Sequence, residues 1–226
     1  MVAKHSESAR RSIRILIVDD HAMVRQGLTL ALGLQPDFTV VGEAGNGADG
    51  VALARRLLPD VILLDLNMPD LDGIEVMQRV RRLSPQARVL ILSGIHADAR
   101  VYATVEAGVD GYIVKDATTG ELAQAIRSVA AGNAYFHPVI TRALVRYAPR
   151  LGASAQPAAL RARLTARELA VLQLMATSAT NRAIAEELGV SEETVRTHVK
   201  HILRKLDQPN RTQAVFEGTR RGLISL

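Results

Sequence analysis

The chain has 226 residues, which is enough for one large domain or two small ones with buried cores. It contains no cysteine, and this excludes disulfides, zinc–thiolate centres, iron–sulfur clusters and thiol chemistry. The longest apolar runs, such as Val61–Leu64, are far shorter than the roughly 18 residues of a membrane span. These features favour a cytoplasmic protein.

The charge is distributed unevenly along the chain. The overall net charge is +5, yet residues 13–130 carry −4, residues 131–163 carry +5 with no acidic residue, and residues 164–226 carry +2. An acidic body followed by basic segments predicts two domains with different partners.

The connector between the two predicted domains spans residues 132–163. Its first part, Val139–Tyr147, is predicted to form a tether helix, and the Ala-rich stretch 149–163 a flexible basic linker. The arginines of this linker either only make a spacer more soluble or attract DNA phosphates. The sequence leaves both interpretations open.

Short apolar runs rich in β-branched residues occur five times in the first 130 residues, separated by segments with helical spacing. They are Ile13–Val18, Thr39–Val41, Val61–Leu64, Val89–Leu92 and Tyr112–Val114. Such runs are typical of strands buried on both faces. The alternation predicts an α/β fold around an open, five-stranded parallel sheet.

Polar side chains follow four of these strands at the point where each strand ends. They are Asp19, Asp20, Asp65, Ser93 and Lys115. The carboxyl ends of parallel strands meet at one rim, where clustered carboxylates need a cation. Oxygen ligands favour Mg²⁺, and an ammonium suits a phosphoryl group. The rim therefore predicts phosphorylation of a carboxylate, with Asp65 as the nucleophile.

Four stretches around these positions resemble the receiver domain of two-component response regulators over about residues 13–131. They are Val18–His21, Asp65–Gly73, Leu92–Gly94 and Gly108–Ala117. The resemblance implies the flavodoxin-like strand order 2-1-3-4-5. It also implies that Asp65 accepts a phosphoryl group from a sensor histidine kinase.

The same resemblance implies further roles at the rim. Mg²⁺ would be held by Asp20, Asp65 and the backbone carbonyl of Asn67, with Asp19 acting through water. Ser93 and Lys115 would contact the phosphoryl oxygens. Tyr112 would be the aromatic residue whose rotamer reports activation; its alternative role is that of an ordinary half-buried strand residue.

The last 63 residues have a helical pattern throughout. Thr165 and Glu168 form a predicted capping box, and Ser191 a predicted helix N-cap. Between these caps lies a short amphipathic helix, Asn181–Leu188, that ends at Gly189. The helix after Ser191 has one apolar stripe and an opposite face with several basic residues. This arrangement predicts a helix-turn-helix whose second helix enters the DNA major groove.

Residues 164–226 resemble the LuxR-type DNA-binding domain, and a receiver followed by this domain is the NarL/FixJ layout. The segments that carry the resemblance are Leu164–Glu168, Asn181–Ala185, Val190–His198, Ile202–Leu206 and Asn210–Ala214. The resemblance implies that Arg196, Thr197 and Lys200 face base edges, whereas Thr194 and Lys205 lie nearer phosphates.

Together, these patterns predict a non-enzymatic, cytoplasmic transcription regulator that uses Mg²⁺. Its expected partners are a sensor histidine kinase, double-stranded DNA, a second copy of itself after activation, and RNA polymerase. Phosphorylation would relieve inhibition by the receiver and promote dimeric DNA binding.

Three alternative functions fit these residues less well. One is a phosphorylation-independent transcription factor whose receiver only mediates dimerisation; the intact acidic positions and Lys115 argue against it. A ligand-sensing LuxR protein would need an apolar pocket domain where the phosphoacceptor rim stands. A haloacid-dehalogenase-type phosphatase would need Asp two positions after its nucleophile, and Asn67 stands there.

Overall fold

The computed structural model describes residues 12–94, 99–140, 164–177 and 180–224. These form an α/β unit followed by a helical unit. Most of the predicted tether helix and the whole of the predicted basic linker lie outside the described residues. No helix within the described ranges is long and apolar enough to span a membrane.

The α/β unit is built on a parallel sheet in the order β2-β1-β3-β4-β5-β6. Its strands are β1 (Ile13–Val18), β2 (Phe38–Ala44), β3 (Val61–Leu64), β4 (Arg88–Ser93), β5 (Gly111–Val114) and β6 (Tyr135–Phe136). The predicted order of the first five strands is confirmed. The sixth strand adds two residues beside β5, past the predicted domain boundary at residue 131, and is too short to form an apolar run in the sequence.

Five helices cover the two faces of the sheet. They are α1 (Ala22–Gly33), α2 (Gly47–Leu57), α3 (Gly73–Leu83), α4 (Ala99–Glu106) and α5 (Thr119–Ala130). Successive residues of β1 enter different cores: Leu16 and Val18 pack in one, Ile15 and Ile17 in the other. This two-residue period explains why buried parallel strands are apolar throughout.

The helical unit has its own hydrophobic core. Its helices are α6 (Ala166–Ala176), α7 (Asn181–Leu188), α8 (Glu192–Leu206) and α9 (Arg211–Arg220). The predicted capping box of Thr165 and Glu168 and the Ser191 cap are present, and Gly189 ends α7 with φ +64°. The predicted apolar stripe of α8 enters this core, which turns the opposite face of the helix outward.

The two units touch through the start of α9 and the end of α4. The Asn210 amide donates a hydrogen bond of 2.6 Å to the Gly108 carbonyl, and the Gln213 amide donates one of 2.6 Å to the Glu106 carbonyl. Gly108 has φ +87°, and a Cβ there would lie 3.1 Å from Asn210 Nδ2, so glycine suits both the turn and the close approach. Phe216 of α9 packs against the apolar core of the α/β unit.

Candidate functional site: an acidic rim and a basic helix face

The sheet places Asp19 and Asp65 side by side. Val18 and Leu64 are partners in the β1–β3 pairing, and the Asp65 N–H donates to the Val18 carbonyl at 2.9 Å. Both aspartates follow directly, and each side chain is only 2% exposed. Two neighbouring carboxylates at this depth need a positive partner.

Lys115, which follows β5, supplies that positive charge. Its ammonium donates to Asp19 Oδ2 at 2.7 Å and to Asp65 Oδ2 at 2.8 Å. Desolvation lowers the pKa of Lys115, but the hydrogen bonds to the two carboxylates outweigh it and raise this pKa above its usual value. The lysine is therefore charged at neutral pH, and it joins residues of three strand ends.

The acidic rim is suited to a divalent cation. Ligand atoms of Asp19, Asp20, His21 and Asp65 all lie within 4.8 Å of one another. The Asp20 Oδ1 atom lies 2.7 Å from His21 Nδ1, at the same edge of the sheet. Carboxylate oxygens are ligands that Mg²⁺ accepts. The residues present therefore fit the predicted ion.

The loop after β3 holds Asp65 close to the backbone of α3. The Asn67 N–H donates to Asp65 Oδ1 at 3.2 Å, while the Asn67 side chain is exposed. A Cβ on Gly73 would lie 2.8 Å from both the Asp65 carbonyl oxygen and Leu66 Cα, so only glycine allows this approach. The backbone of residue 67 is thus at the rim, where its carbonyl was predicted to act.

Ser93 and Tyr112 occupy the neighbouring strands. Ser93 ends β4 and is fully buried. Its backbone carbonyl accepts a hydrogen bond from the backbone N–H of Lys115 at 2.9 Å. Tyr112 is also fully buried, in the same core as Val101 and Val105 of α4. The rim thus brings together the end residues of β1, β3, β4 and β5. The role of Tyr112 in activation stays a prediction.

Two arginines at the rim were not identified from the sequence. Arg25 of α1 donates to the Asp19 carbonyl at 2.7 Å and to the Asp20 carbonyl at 3.3 Å. Arg100 of α4 binds the Asp65 loop, with Asn67 Oδ1 at 2.6 Å. Neither contact has a periodic signature, because each depends on where a helix packs.

The outer face of α8 carries the residues predicted to read DNA. Arg196, Thr197 and Lys200 are exposed, as a base-reading face requires. The Arg196 guanidinium pairs with Glu192 one turn earlier at 2.8 Å. The predicted face is therefore present on α8, and its contacts with bases stay a prediction.

The two residues predicted to lie near phosphates have protein partners. Lys205 donates to Glu168 Oε2 at 2.7 Å, and Glu168 is only 2% exposed. The Thr194 hydroxyl lies 2.8 Å from the hydroxyl of Ser191, which caps α8. Lys205 thus joins α8 to α6, so a phosphate contact would have to share its ammonium with Glu168.

A parallel sheet with an acidic rim, followed by a helix-turn-helix with a basic outer face, is the architecture of a DNA-binding response regulator. Two family models match the chain: the response regulator receiver domain at residues 15–127, and the luxR family of bacterial regulatory proteins at residues 162–217. The chain belongs to the two-component response regulators of the NarL/LuxR type.

Relatives match over nearly the whole chain. The transcriptional regulatory protein LiaR of Bacillus subtilis is 40% identical over 213 residues, which are 94% of this chain and 100% of LiaR. The response regulator protein VraR of Staphylococcus aureus is 39% identical, over 94% of this chain and 99% of VraR.

Solved structures agree with this assignment. The response regulator ChrA, from a heme-sensing two-component system, is 35% identical with a TM-score of 0.52, over 94% of this chain and 99% of ChrA. A LuxR-family response regulator from Aurantimonas is 33% identical with a TM-score of 0.58, over 62% of this chain and 99% of its own.

Proposed function

We propose that the protein is switched by phosphorylation of Asp65 by a sensor histidine kinase, and that the phosphorylated form binds double-stranded DNA as a dimer to regulate transcription. The observation that carries this proposal is the buried carboxylate pair of Asp19 and Asp65 joined by Lys115. A structural role alone would not explain three carboxylates collected at one sheet edge beside a lysine.

The transfer step follows from the position of Asp65. A carboxylate oxygen of Asp65 attacks the phosphorus of a phosphohistidine, an O–P bond forms, and the N–P bond breaks with its electron pair returning to the imidazole. Lys115, which already contacts the Asp65 carboxylate, then donates to an oxygen of the new phosphoryl group. The Ser93 hydroxyl is assigned to another of these oxygens.

The cation would be held by the ligands that the receiver resemblance implies. These are Asp20, Asp65 and the backbone carbonyl of Asn67, with Asp19 acting through water. When bound, Mg²⁺ supplies positive charge that offsets the charge of the phosphoryl oxygens. Arg25 stabilises the backbone of the two acidic residues after β1, because it binds both of their carbonyls.

The contact between the two units supports regulation by the receiver. The receiver binds Asn210 and Gln213 of α9, whereas Arg196 and Lys200 of α8 stay exposed. Inhibition would therefore act through the bulk and negative charge of the receiver beside the DNA-reading face and through coverage of α9, without direct burial of the reading side chains.

The remaining parts of the proposal follow from this role. We infer that the protein acts by binding rather than by turnover of a substrate, and that it acts in the cytoplasm, where its DNA target lies. RNA polymerase is the further partner through which bound regulators change transcription.

Incubation with acetyl phosphate and Mg²⁺ tests the proposal. The wild type should gain one phosphoryl group by intact mass, localised to Asp65, and bind DNA more tightly in a gel shift. Asp65→Asn keeps the shape but removes the nucleophile, so it should gain none. Asp49→Asn is the matched control, because Asp49 is an exposed aspartate in the first turn of α2 that bonds to Asn46.

The outcomes separate the two regulator classes. If the wild type gains no phosphate, or if Asp65→Asn gains as much as the wild type, Asp65 is not the acceptor. DNA binding that is equally tight with and without phosphate would favour a phosphorylation-independent regulator.

A further inference from the structure

Arg100 is a basic residue on the first turn of α4 that the proposed phosphotransfer does not use. Its guanidinium donates to Asn67 Oδ1 at 2.6 Å, to the Leu66 carbonyl at 3.2 Å and to Asp72 Oδ2 at 3.1 Å. All three acceptors belong to the loop that joins Asp65 to α3. A single side chain therefore binds this loop at its beginning and at its end.

Two of the acceptors of Arg100 lie at Asn67 and at the residue before it. Leu66 offers its backbone carbonyl and Asn67 its side chain, so the guanidinium restrains the backbone on one side of Asn67 and the side chain of Asn67 itself. The proposed cation ligand is the backbone carbonyl of the same residue. The Asn67 N–H meanwhile donates to Asp65 Oδ1 at 3.2 Å, so the Leu66–Asn67 peptide, which precedes that carbonyl, is tied both to Arg100 and to Asp65.

The opposite side of the loop is attached separately. Asp70 accepts hydrogen bonds from the Gly47 and Ala48 N–H groups at 3.0 and 3.1 Å, and the bond from Gly47 keeps the pKa of Asp70 below its usual value. The outer part of the loop is thus held by α2. The inner part, next to Asp65, is held by Arg100, whose planar fork suits several acceptors at once.

We propose that Arg100 is a positioning residue that fixes Asn67 through its side chain and its preceding peptide, so that the Asn67 carbonyl is oriented toward Mg²⁺, and thereby couples cation binding to the start of α4. The proposal rests on the proposed cation site at Asp65. Because coupling is reciprocal, occupation of the cation site should also order the first turn of α4.

Electrostatics and positioning predict opposite effects when Arg100 is changed. Loss of a positive charge near a dication site would by itself strengthen cation binding. Loss of a group that orients a ligand weakens metal binding, typically by about tenfold or more. Arg100→Lys separates these effects, because it keeps the charge but replaces a planar fork with a single nitrogen.

The experiment is a calorimetric titration of the full chain with MgCl₂. We expect the Mg²⁺ dissociation constant to rise by about tenfold in Arg100→Lys and in Arg100→Ala. Arg79→Lys and Arg79→Ala are the matched controls, since Arg79 is on α3 and pairs with Glu75 in solvent; they should bind like the wild type. Circular dichroism checks that each variant is folded.

Asn67→Ala tests the same contact between Arg100 and Asn67 from the other residue. This variant keeps the backbone carbonyl but removes the amide that Arg100 binds. If Arg100 acts through Asn67, the Arg100→Lys/Asn67→Ala double variant should bind Mg²⁺ no more weakly than the weaker single variant. Additive losses would overturn the proposal.

Amide hydrogen exchange gives a readout that is independent of affinity. Saturating Mg²⁺ should slow exchange at the start of α4 in the wild type, and less so in Arg100→Lys. The proposal is overturned if the Arg100 variants bind Mg²⁺ within twofold of the wild type, or if the Arg79 variants weaken Mg²⁺ binding as much as the Arg100 variants do. It is also overturned if Mg²⁺ slows exchange at the start of α4 equally in the wild type and in Arg100→Lys. A wild type that binds no Mg²⁺ would instead overturn the cation site itself.

Discussion

Lys115 allows three carboxylates to share one edge of the sheet before any cation binds. Its ammonium contacts Asp19 and Asp65, the two that are nearly inaccessible to water, and leaves the more exposed Asp20 to its neighbour His21. The three carboxylates and the lysine together carry a net charge of −2. One divalent cation would neutralise it. The charge of the rim side chains is therefore consistent with the proposed Mg²⁺ site.

Asp20 is the carboxylate whose loss is expected to affect cation binding most directly. Asp20→Asn removes a charged oxygen from a hard cation, so the Mg²⁺ affinity should fall by about tenfold or more. Calorimetric titration measures this change, with Asp49→Asn as the control because Asp49 lies in the first turn of α2 and bonds to Asn46. An unchanged affinity would show that Asp20 is not a ligand.

Glu168 is a buried carboxylate with a structural role. Desolvation raises its pKa, but hydrogen bonds from Lys205 and Thr165 outweigh this and lower the pKa below its usual value. Its stabilising effect is therefore complete above the unfolded-state pKa of about 4.3, and is lost as the pH falls through the lower folded-state value.

Glu168→Gln should lower the free energy of unfolding at pH 7 by about 1–3 kcal/mol, because the variant leaves Lys205 without its ionic partner. The loss of stability between pH 5 and pH 3 should also be smaller than in the wild type. Urea unfolding of residues 155–226, followed by circular dichroism, measures both effects. Glu186→Gln is the control, as Glu186 is 67% exposed; an equal loss in that variant would contradict the role of Glu168.

At the scale of single elements, α8 separates its functions by face. The inward stripe holds the helix on α6 and α7, and the outward face carries Arg196 and Lys200. Arg196→Ala and Lys200→Ala should each cost about 1–3 kcal/mol on the specific DNA site and much less on scrambled DNA. Lys205→Ala should instead weaken both DNAs alike and reduce the salt slope by about one.

Gel shifts at two salt concentrations, with specific and scrambled DNA, measure these differences. Arg182→Ala is the control, since Arg182 is an exposed arginine of α7 that pairs with Glu186. Equal losses on both DNAs for Arg196→Ala and Lys200→Ala would mean that these residues contact phosphates and do not read bases.

Elements with a local signature could be predicted from the sequence. Val61–Leu64 and Asn181–Leu188 have the predicted bounds. The signals that define them, the hydrophobic period and the residues at their ends, lie within or next to each element in the sequence. Asp19, Asp65 and Lys115 could be brought together because each follows a strand. The pairs Arg100–Asn67, Lys205–Glu168 and Asn210–Gly108 could not be predicted, since they join polar residues that are distant in sequence and meet only through helix packing.

At the scale of the whole molecule, the contact between receiver and DNA-binding unit is expected to limit DNA binding. Residues 155–226, whose described part from Leu164 to Ile224 has its own core, should bind DNA more tightly than the unphosphorylated full chain. One reason is that the receiver segment 13–130 carries a charge of −4 and opposes approach to phosphates. Gel shifts compare the two proteins, and equal affinities would mean that the receiver does not inhibit.

Gln213→Ala tests the same contact within the full chain. It removes the hydrogen bond to the Glu106 carbonyl and should move the unphosphorylated protein toward the affinity of the isolated tail, by a factor of about 2–10 for one hydrogen bond. Gln208→Ala is the control, since the Gln208 amide binds Leu206 within its own unit. A Gln213→Ala protein that binds DNA exactly as the control does would show that this contact does not hold the units together.

Asn210 holds the two units together without depending on the contact for its own structure. Its side-chain oxygen caps α9 by accepting the Gln213 N–H at 2.9 Å, while its amide nitrogen reaches Gly108. When the units part, water replaces the second bond and the cap is kept, so α9 does not unravel. The bonds from Asn210 and Gln213 are worth about 0.5–1.5 kcal/mol each. Loss of both would therefore change the equilibrium constant for separation of the units by only about five- to 150-fold. We therefore expect single substitutions at this contact to adjust the DNA affinity of the unphosphorylated protein while Asp65 and α8 stay untouched.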